Sequence, residues 1–451
     1  MNRRSILSTI VSGYDKIEPC IITALALRQG VFIMGAHGNG KSTLGSVLGQ
    51  AADEKGGDGF RYFNAALANI INIAGFPNME AAQETGRFSF IATENSIFGG
   101  KVIMIDELPR AKSDNQNGWL EVIQERSFMG IPLDYDLIIA TGNDETYSGS
   151  FKLDLALKSR FMYWLPAPNF KTVESQEVMD MIRLNLEGAR PVKEIAVELR
   201  DLIHDIRCEI SNLMQNEAFI SQASTFIGTF TQFLKDKIAS TKSLADNPEA
   251  YIPPREFANQ MIYSIVGLTA YFRTIGSPNA MERAGEYTIK YNIETRHATA
   301  GVEISNICSM AWRRLCGMLV DNVETPEGQM KMQYASAINA VQKVAFWREH
   351  LSEVVEHLNL QDVTYMAGET LQQIRQENIG QVGPFYHLMT QNINTQHVAM
   401  QVEGLIVTEV ARKLINGKAR NSVEEQDLYN QFGVRESLKA DEVAHIMSVG
   451  N

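Results

Sequence analysis

Val31-Phe32-Ile33-Met34-Gly35-Ala36-His37-Gly38-Asn39-Gly40-Lys41-Ser42-Thr43 is the stretch that decides the fold. Residues 31–34 form an apolar run that reads as a strand, and Thr43 to Ala52 reads as a helix. Between them, Gly35 to Ser42 match the pattern G-x-x-x-x-G-K-[ST]. These residue types suit a polyphosphate. Glycines let backbone N–H groups turn inward around phosphate oxygens, in conformations that a side chain would obstruct. Lys41 would reach the outer phosphates and Ser42 would hold a Mg2+ ion. The helix that opens at Thr43 would present its positive end to the same oxygens. His37 reads as filler within the loop, which also holds Gly38, Asn39 and Gly40, rather than as a catalytic group. A chance match in a glycine-rich turn would lack the strand before it and the helix after it.

The same chemistry asks for carboxylates, and they follow. Val102-Ile103-Met104-Ile105-Asp106-Glu107 is a buried strand ending in two acids. Asp106 would bind the Mg2+ shell through water, and Glu107 would polarise an attacking water. Phosphoryl transfer needs positioned charge more than covalent chemistry, so few groups suffice. An apolar run ending in Asp-Glu is common by itself; downstream of the glycine loop it gains its meaning. Leu137-Ile138-Ile139-Ala140-Thr141-Gly142-Asn143 is a further strand, whose Asn143 would orient the water or would simply sit in a turn. In Lys158-Ser159-Arg160-Phe161, Arg160 would project into a neighbouring subunit's nucleotide as an arginine finger, or would pair with a surface acid.

Outward from these elements the chain has two characters. Up to residue 168, short strands at Val31 to Met34, Phe60 to Asn64, Val102 to Ile105 and Leu137 to Thr141 alternate with helical segments, as in a mostly parallel sheet covered by helices. After Pro166 and Pro168 helical periodicity dominates. Ile195, Leu199, Leu202, Ile206, Ile210 and Leu213 share one helix face. Further helices are expected over 219–240, 254–276, 278–292, 301–320, 328–358, 361–378, 394–416 and 422–431. A chain of 451 residues exceeds one ordinary core, so two or three domains are expected. Its 45% hydrophobic and 21% charged content is that of a globular protein. No apolar run is long enough to span a bilayer, and residues 1–10 lack the apolar stretch of a signal peptide. Cys20, Cys208, Cys308 and Cys316 are scattered without a CxxC pair, and read as buried small hydrophobes in a reducing, cytoplasmic setting. A net charge of -12 disfavours a surface that coats nucleic acid, though it leaves room for a local basic loop.

The order of these elements resembles the MoxR-type AAA+ ATPases, in the clade with an insert in helix 2. Asp106-Glu107-Leu108-Pro109-Arg110-Ala111 is similar to that family's D-E-I-N-R-A, and Trp119 to Arg126 to its L-L-E-A-M-x-E-R. Ile139 to Asn143 resembles its A-T-x-N, whose asparagine is sensor 1, and Ser159-Arg160-Phe161 stands where D-R-F supplies the finger. Pro253-Pro254-Arg255 resembles the S-P-R that opens a lid helix, which gives Arg255 the sensor 2 place. Residues 85–100 resemble the helix-2 insert, a hairpin facing the ring pore in relatives, although Phe88 and Phe90 fit a core-facing strand equally well. Phe128 to Asp136 would be the hairpin before sensor 1. Pro109 and Ser159 depart from the pattern without removing a phosphate-touching group.

The resemblance implies an AAA+ P-loop core over 1–168, a helical lid over 169–292 and a helical accessory domain over 293–451. It also implies ATP and Mg2+ as cofactors, with Glu107, Asn143, Arg160 and Arg255 catalytic. Gly35, His37, Gly38, Asn39, Gly40, Lys41, Ser42 and Thr43 would hold the nucleotide, and Ser42 and Asp106 the metal. The implied assembly is a homo-oligomeric, hexameric ring that remodels or assembles a protein partner, in relatives often one with a von Willebrand factor A domain. Two alternatives stay open: a nucleotide-gated structural or targeting ring with slow hydrolysis, and a GTP-using or nucleic-acid-associated motor of the same clade. In residues 293–451, Met330, Met332, Phe346 and Trp347 read as core positions rather than a cofactor box.

Overall fold

The computed structural model of the chain describes residues 5–389, except 12, 36–39, 55–56, 68–72, 87–88, 112, 143–154, 169–178, 180–189, 242–243, 245–253, 298–301, 322–324, 338, 359, 378–384 and 386–387. The helices expected over 394–416 and 422–431 lie outside the described residues. The chain forms two compact units, residues 1–313 and 314–451.

The first unit is built on a five-stranded sheet. Its strands are β1 (Gly30–Met34), β2 (Phe60–Asn64), β3 (Val102–Asp106), β4 (Leu137–Gly142) and β5 (Phe161–Pro166), in the order β2-β3-β4-β1-β5. All four pairings are parallel. β3 and β4 are buried along nearly their whole length, which is why they appear as unbroken apolar runs rather than alternating ones. The α/β core with a parallel sheet, followed by helices, is the fold class expected from the sequence. β5 was not among the expected strands. Phe161 to Leu165 are all buried in it, and Trp164 stacks on Phe32 of β1 with ring centroids 4.3 Å apart.

Helices cover both faces. On one side lie α1 (Glu18–Leu27) and α2 (Lys41–Ala52), and on the other α4 (Ser113–Gln124) and α5 (Leu155–Arg160). Alternating strand residues serve the two faces. Phe32, Ile103, Ile105, Ile138 and Ala140 join Trp119, Val122 and Leu157 in one core, while a Cβ on Gly45 of α2 would meet Met104 on the opposite side. Beyond Phe76–Pro77, which pairs antiparallel with Phe90–Ile91, the short α3 (Met79–Thr85) fills the connection. The hairpin expected within 85–100 therefore takes its first arm from upstream, with Phe90 packed on Phe98; Phe88 lies outside the described residues. Where a hairpin was expected over Phe128 to Asp136, a shorter one is found, Ser127–Phe128 against Ile131–Pro132.

Among the described residues, four helices follow the sheet: α6 (Val192–Gln215), α7 (Glu217–Ser240), α8 (Pro254–Thr274) and α9 (Ala280–Thr288), the last continuing into a π-helical turn, Ile289–Glu294. α6 packs on α1 and α2, and α8 packs on α1, α6 and α9. The C-terminal ends of α1 and α2 leave carbonyls without helical partners, and α6 supplies them. Arg200 donates to the carbonyls of Gln50 (2.9 Å), Ala51 (3.2 Å) and Asp53 (3.0 Å). Arg207 donates to those of Ala26 (3.2 Å) and Leu25 (3.4 Å). Cys20 and Cys308 are buried, but Cys208 is exposed on α6, where the reading of all four cysteines as buried fails.

α10 (Val302–Leu315) spans the division between the units. The second unit contains α11 (Pro326–Ser336), α12 (Ala340–His357) and α13 (Leu360–Glu377). The single helix expected over 328–358 is two, because Asn339 adopts an extended conformation and its side chain accepts from the Gln342 N–H as an N-cap. Met330, Phe346 and Trp347 are core residues, as the sequence suggests, and Met332 is half-buried. The buried polar groups of this core are matched: Tyr334 donates to the Met366 carbonyl (2.6 Å), Trp347 to Thr370 (2.9 Å), and Lys343 to Glu369 (2.7 Å). No helix among the described residues is long and apolar enough to cross a membrane.

Candidate functional site

In a parallel sheet the residues that end neighbouring strands meet along one edge, and ligands settle beyond it. The register here aligns Asn64 with Asp106, Ile105 with Ala140, and Ile33 with Thr141. The carboxyl edge therefore carries Asn64, Asp106, Thr141 and the start of the glycine loop side by side.

Gly35 closes β1, and its N–H donates to the Gly142 carbonyl across the sheet (3.0 Å). Gly40 caps α2 at φ 70, in the left-handed region, and a Cβ there would lie 2.5 Å from Val11. Glycine is needed twice over, for its backbone angle and for the close approach of the N-terminal segment. That segment is anchored by the buried Glu18, which accepts from the Leu7 N–H (2.7 Å), the Ser5 hydroxyl and the Tyr271 hydroxyl (2.9 Å). Lys41 opens α2 with only 9% of its surface exposed, and its Nζ donates to the Gly35 carbonyl (3.0 Å). Burial lowers its pKa, and the charges of Asp106 and Glu107 oppose that shift, so the ammonium and both carboxylates lie within one another's field. Ser42 and Thr43 are exposed in the first turn of α2.

Asp106 ends β3 with each carboxylate oxygen engaged once. The Thr141 hydroxyl donates to Oδ1, and the Tyr62 hydroxyl donates to Oδ2 (2.7 Å). Burial and the neighbouring carboxylate push the Tyr62 phenol up to about 12, so it keeps its proton as a donor. A carboxylate offers about four lone-pair directions, which leaves Asp106 able to accept hydrogen bonds from the water shell of a Mg2+ ion. With the exposed Ser42 hydroxyl, the donor set is all oxygen, as that ion prefers.

Glu107 has φ 55 and ψ 38, a left-handed conformation that costs a non-glycine residue about 1–2 kcal/mol. Strain of this kind persists where the surroundings over-determine it. The Glu107 N–H donates to Thr141 Oγ1 (3.3 Å), Arg110 pairs with Oε1 (3.0 Å), and Asn64 donates to Oε2 (3.4 Å). Thr141, 1% exposed, thus ties both acids to β4 with one hydroxyl. Replacing it with valine keeps the shape, but leaves the Glu107 N–H without its acceptor and Asp106 short of a donor. Turnover should fall about tenfold while nucleotide affinity stays put, since a lost buried hydrogen bond costs about 1–3 kcal/mol. Parallel titration and steady-state assays of Thr141→Val check this; equal turnover would remove Thr141 from the site.

Tyr62, Asn64, Arg110 and Thr141 were not among the residues singled out from sequence. Tyr62 and Asn64 sit on β2, which pairs with β3 across a long stretch of chain, and no local pattern announces that register. Ala36, His37, Gly38, Asn39 and Asn143 lie outside the described residues. Arg255 is in the first turn of α8, and its side chain is likewise outside what is described.

Arg160 is not brought to this edge. It ends α5, immediately before β5, whose Phe161 pairs with Gly30 at the amino end of β1. The glycine loop leaves the other end of β1, four residues and about 13 Å away. Its guanidinium rests on Gln124 Oε1 at the end of α4, at 3.0 and 3.2 Å.

No protein-family model matches the chain, and no curated protein matches it. Among solved structures the chain is similar to one from Cytophaga hutchinsonii ATCC 33406, described as that of a "putative ATPase". The two share 17% identity over 68% of this chain and 91% of that one, with a TM-score of 0.46. At that identity and TM-score the likeness carries no functional weight, and function has to be read from the residues at the sheet edge.

Proposed function

We propose that this chain is a Mg-dependent ATP hydrolase of the AAA+ MoxR type, working as a ring of six that remodels or assembles a protein partner. The observation that carries this reading is the meeting of Lys41, Asp106 and Glu107 at one sheet edge, with Thr141 tying the two acids together. Lys41 and the loop's N–H groups hold the phosphates in place. Bound Mg2+, held by Ser42 and through water by Asp106, would neutralise charge on the phosphate oxygens. Glu107, fixed by Arg110 and Asn64, accepts a proton from the attacking water and orients it for in-line attack. The position of Arg160 at the far end of the sheet supports action on a neighbouring subunit, because its own chain's phosphates are out of reach. Asn143 and Arg255 complete the reading as sensors.

The test is steady-state hydrolysis of ATP and of GTP by the purified chain across protein concentration. Turnover of ATP that rises steeply with concentration is expected, because each site needs a second copy. Tight binding with negligible turnover at every concentration would overturn the motor reading in favour of a nucleotide-gated scaffold. Faster use of GTP would overturn the assignment of ATP.

A further inference from the structure

Arg160 is useful as a finger only if its peptide is held still, and the peptide is held from outside its own element. The carbonyl of Ser159, just before it, accepts from Gln260 Nε2 of α8 at 2.6 Å. The carbonyl of Phe161, just after it, accepts from Arg296 Nη2 at 2.5 Å. The two donors are joined, since Arg296 Nη2 also donates to Gln260 Oε1 at 2.8 Å. One linked pair of side chains therefore grips the backbone on both sides of Arg160, while Gln124 steadies its guanidinium.

Arg296 is an expensive residue for a merely structural role. It is 6% exposed, its Nε has no hydrogen-bond partner, and no carboxylate pairs with it among the described residues. Burial pushes its pKa down to about 10, which still leaves it charged at neutral pH. A helix end can be capped by a neutral donor or by water at far lower desolvation cost. What the side chain supplies here is one terminal NH2 group, Nη2, whose two N–H bonds serve two acceptors in fixed relation. Here those acceptors are the Phe161 carbonyl and the amide oxygen of the residue holding Ser159.

We propose that Gln260 and Arg296 are positioning residues for Arg160, clamping the two carbonyls that flank it so that helix α8 sets where the arginine points. This inference rests on the reading of Arg160 as a finger. α8 is also the helix whose first turn carries Arg255, five residues before Gln260 and about 7.5 Å along the axis. The clamp thus links the helix assigned to sensing a chain's own nucleotide to the arginine assigned to the neighbour's.

The experiment compares Gln260→Ala, Arg160→Ala and the double variant in the full chain, measuring kcat, KM for ATP and nucleotide affinity. Gln260→Ala should lower kcat about 10- to 100-fold, the scale of a displaced catalytic group, with KM and affinity unchanged. The double variant should be no slower than Arg160→Ala alone, because both changes disable one device. Gln260→Glu keeps an acceptor for Arg296 but puts an acceptor against the Ser159 carbonyl, and should be as slow as Gln260→Ala. An unaltered kcat in Gln260→Ala beside a dead Arg160→Ala would overturn the clamp and leave the finger standing. Losses that multiply in the double variant would also overturn it, by showing that Gln260 acts elsewhere. Full activity of Arg160→Ala would instead remove the finger itself, and the clamp's purpose with it.

Discussion

Glu107→Gln should bind ATP at least as tightly as the native chain and turn it over about 100-fold more slowly or worse. The substitution is nearly isosteric, and the strained backbone at φ 55 keeps its bond to Thr141 and the turn through Leu108–Arg110, neither of which uses the carboxylate. The amide oxygen can keep the contact with Arg110. Asn64 then faces an amide NH2 and loses a contact that is already long at 3.4 Å, since its own oxygen stays with the Ala66 N–H (3.1 Å). Removing a negative charge from the field of Lys41 takes away repulsion against the phosphates, which is why affinity should hold or rise. What disappears is the group that takes the water's proton. Unchanged turnover would strip Glu107 of its role and would leave the paired acids as a metal site only.

Arg160→Ala should abolish turnover, with a loss of about 10³-fold or more, the usual scale for an arginine finger. The loss should be repaired in trans. Subunits with Arg160→Ala retain Lys41, Asp106 and Glu107 but offer no finger; subunits with Glu107→Gln offer the finger but have a dead site. Mixing the two inactive proteins should restore activity, rising to a maximum at intermediate ratios. The geometry makes this a sharp expectation, because Arg160 stands level with Gly30 while the phosphate loop leaves from Met34. No recovery at any ratio would sink the trans assignment. The side chain would then be a structural partner of Gln124 and nothing more.

Much of the α/β core was legible in the chain. β1, β3 and β4 appear as apolar runs because both faces of each central strand are buried, and two of them end in residue types that a phosphate site requires. β5 escaped notice for a definite reason. Phe161 to Leu165 follow at once on Lys158-Ser159-Arg160 and stop at Pro166, so the run looks like the tail of a motif rather than an element. The supporting residues of the site were hidden by register. Asn64 meets Glu107, Thr141 meets Asp106, and Gln260 meets Ser159 across separations that no periodicity encodes. The break between α11 and α12 was missed because apolar spacing continues through it, from Tyr334 to Val344 and Trp347, and only Asn339 marks the new start.

α2 is gripped at both ends. Its first residue, Lys41, donates to the Gly35 carbonyl where the glycine loop begins, and the carbonyls at its last turn are seized by Arg200 of α6. Twelve residues of helix make a stiff rod about 18 Å long. Such a rod transmits a tilt with little loss, so under the proposed function a small rotation imposed by nucleotide at one end would arrive at α6 as a sideways push at the other. A second joint of this kind, Arg207 on the carbonyls at the foot of α1, ties the two rods to a single beam. With the site used as proposed, the glycine loop would be the short arm of a lever, and α6 the place where its force comes out.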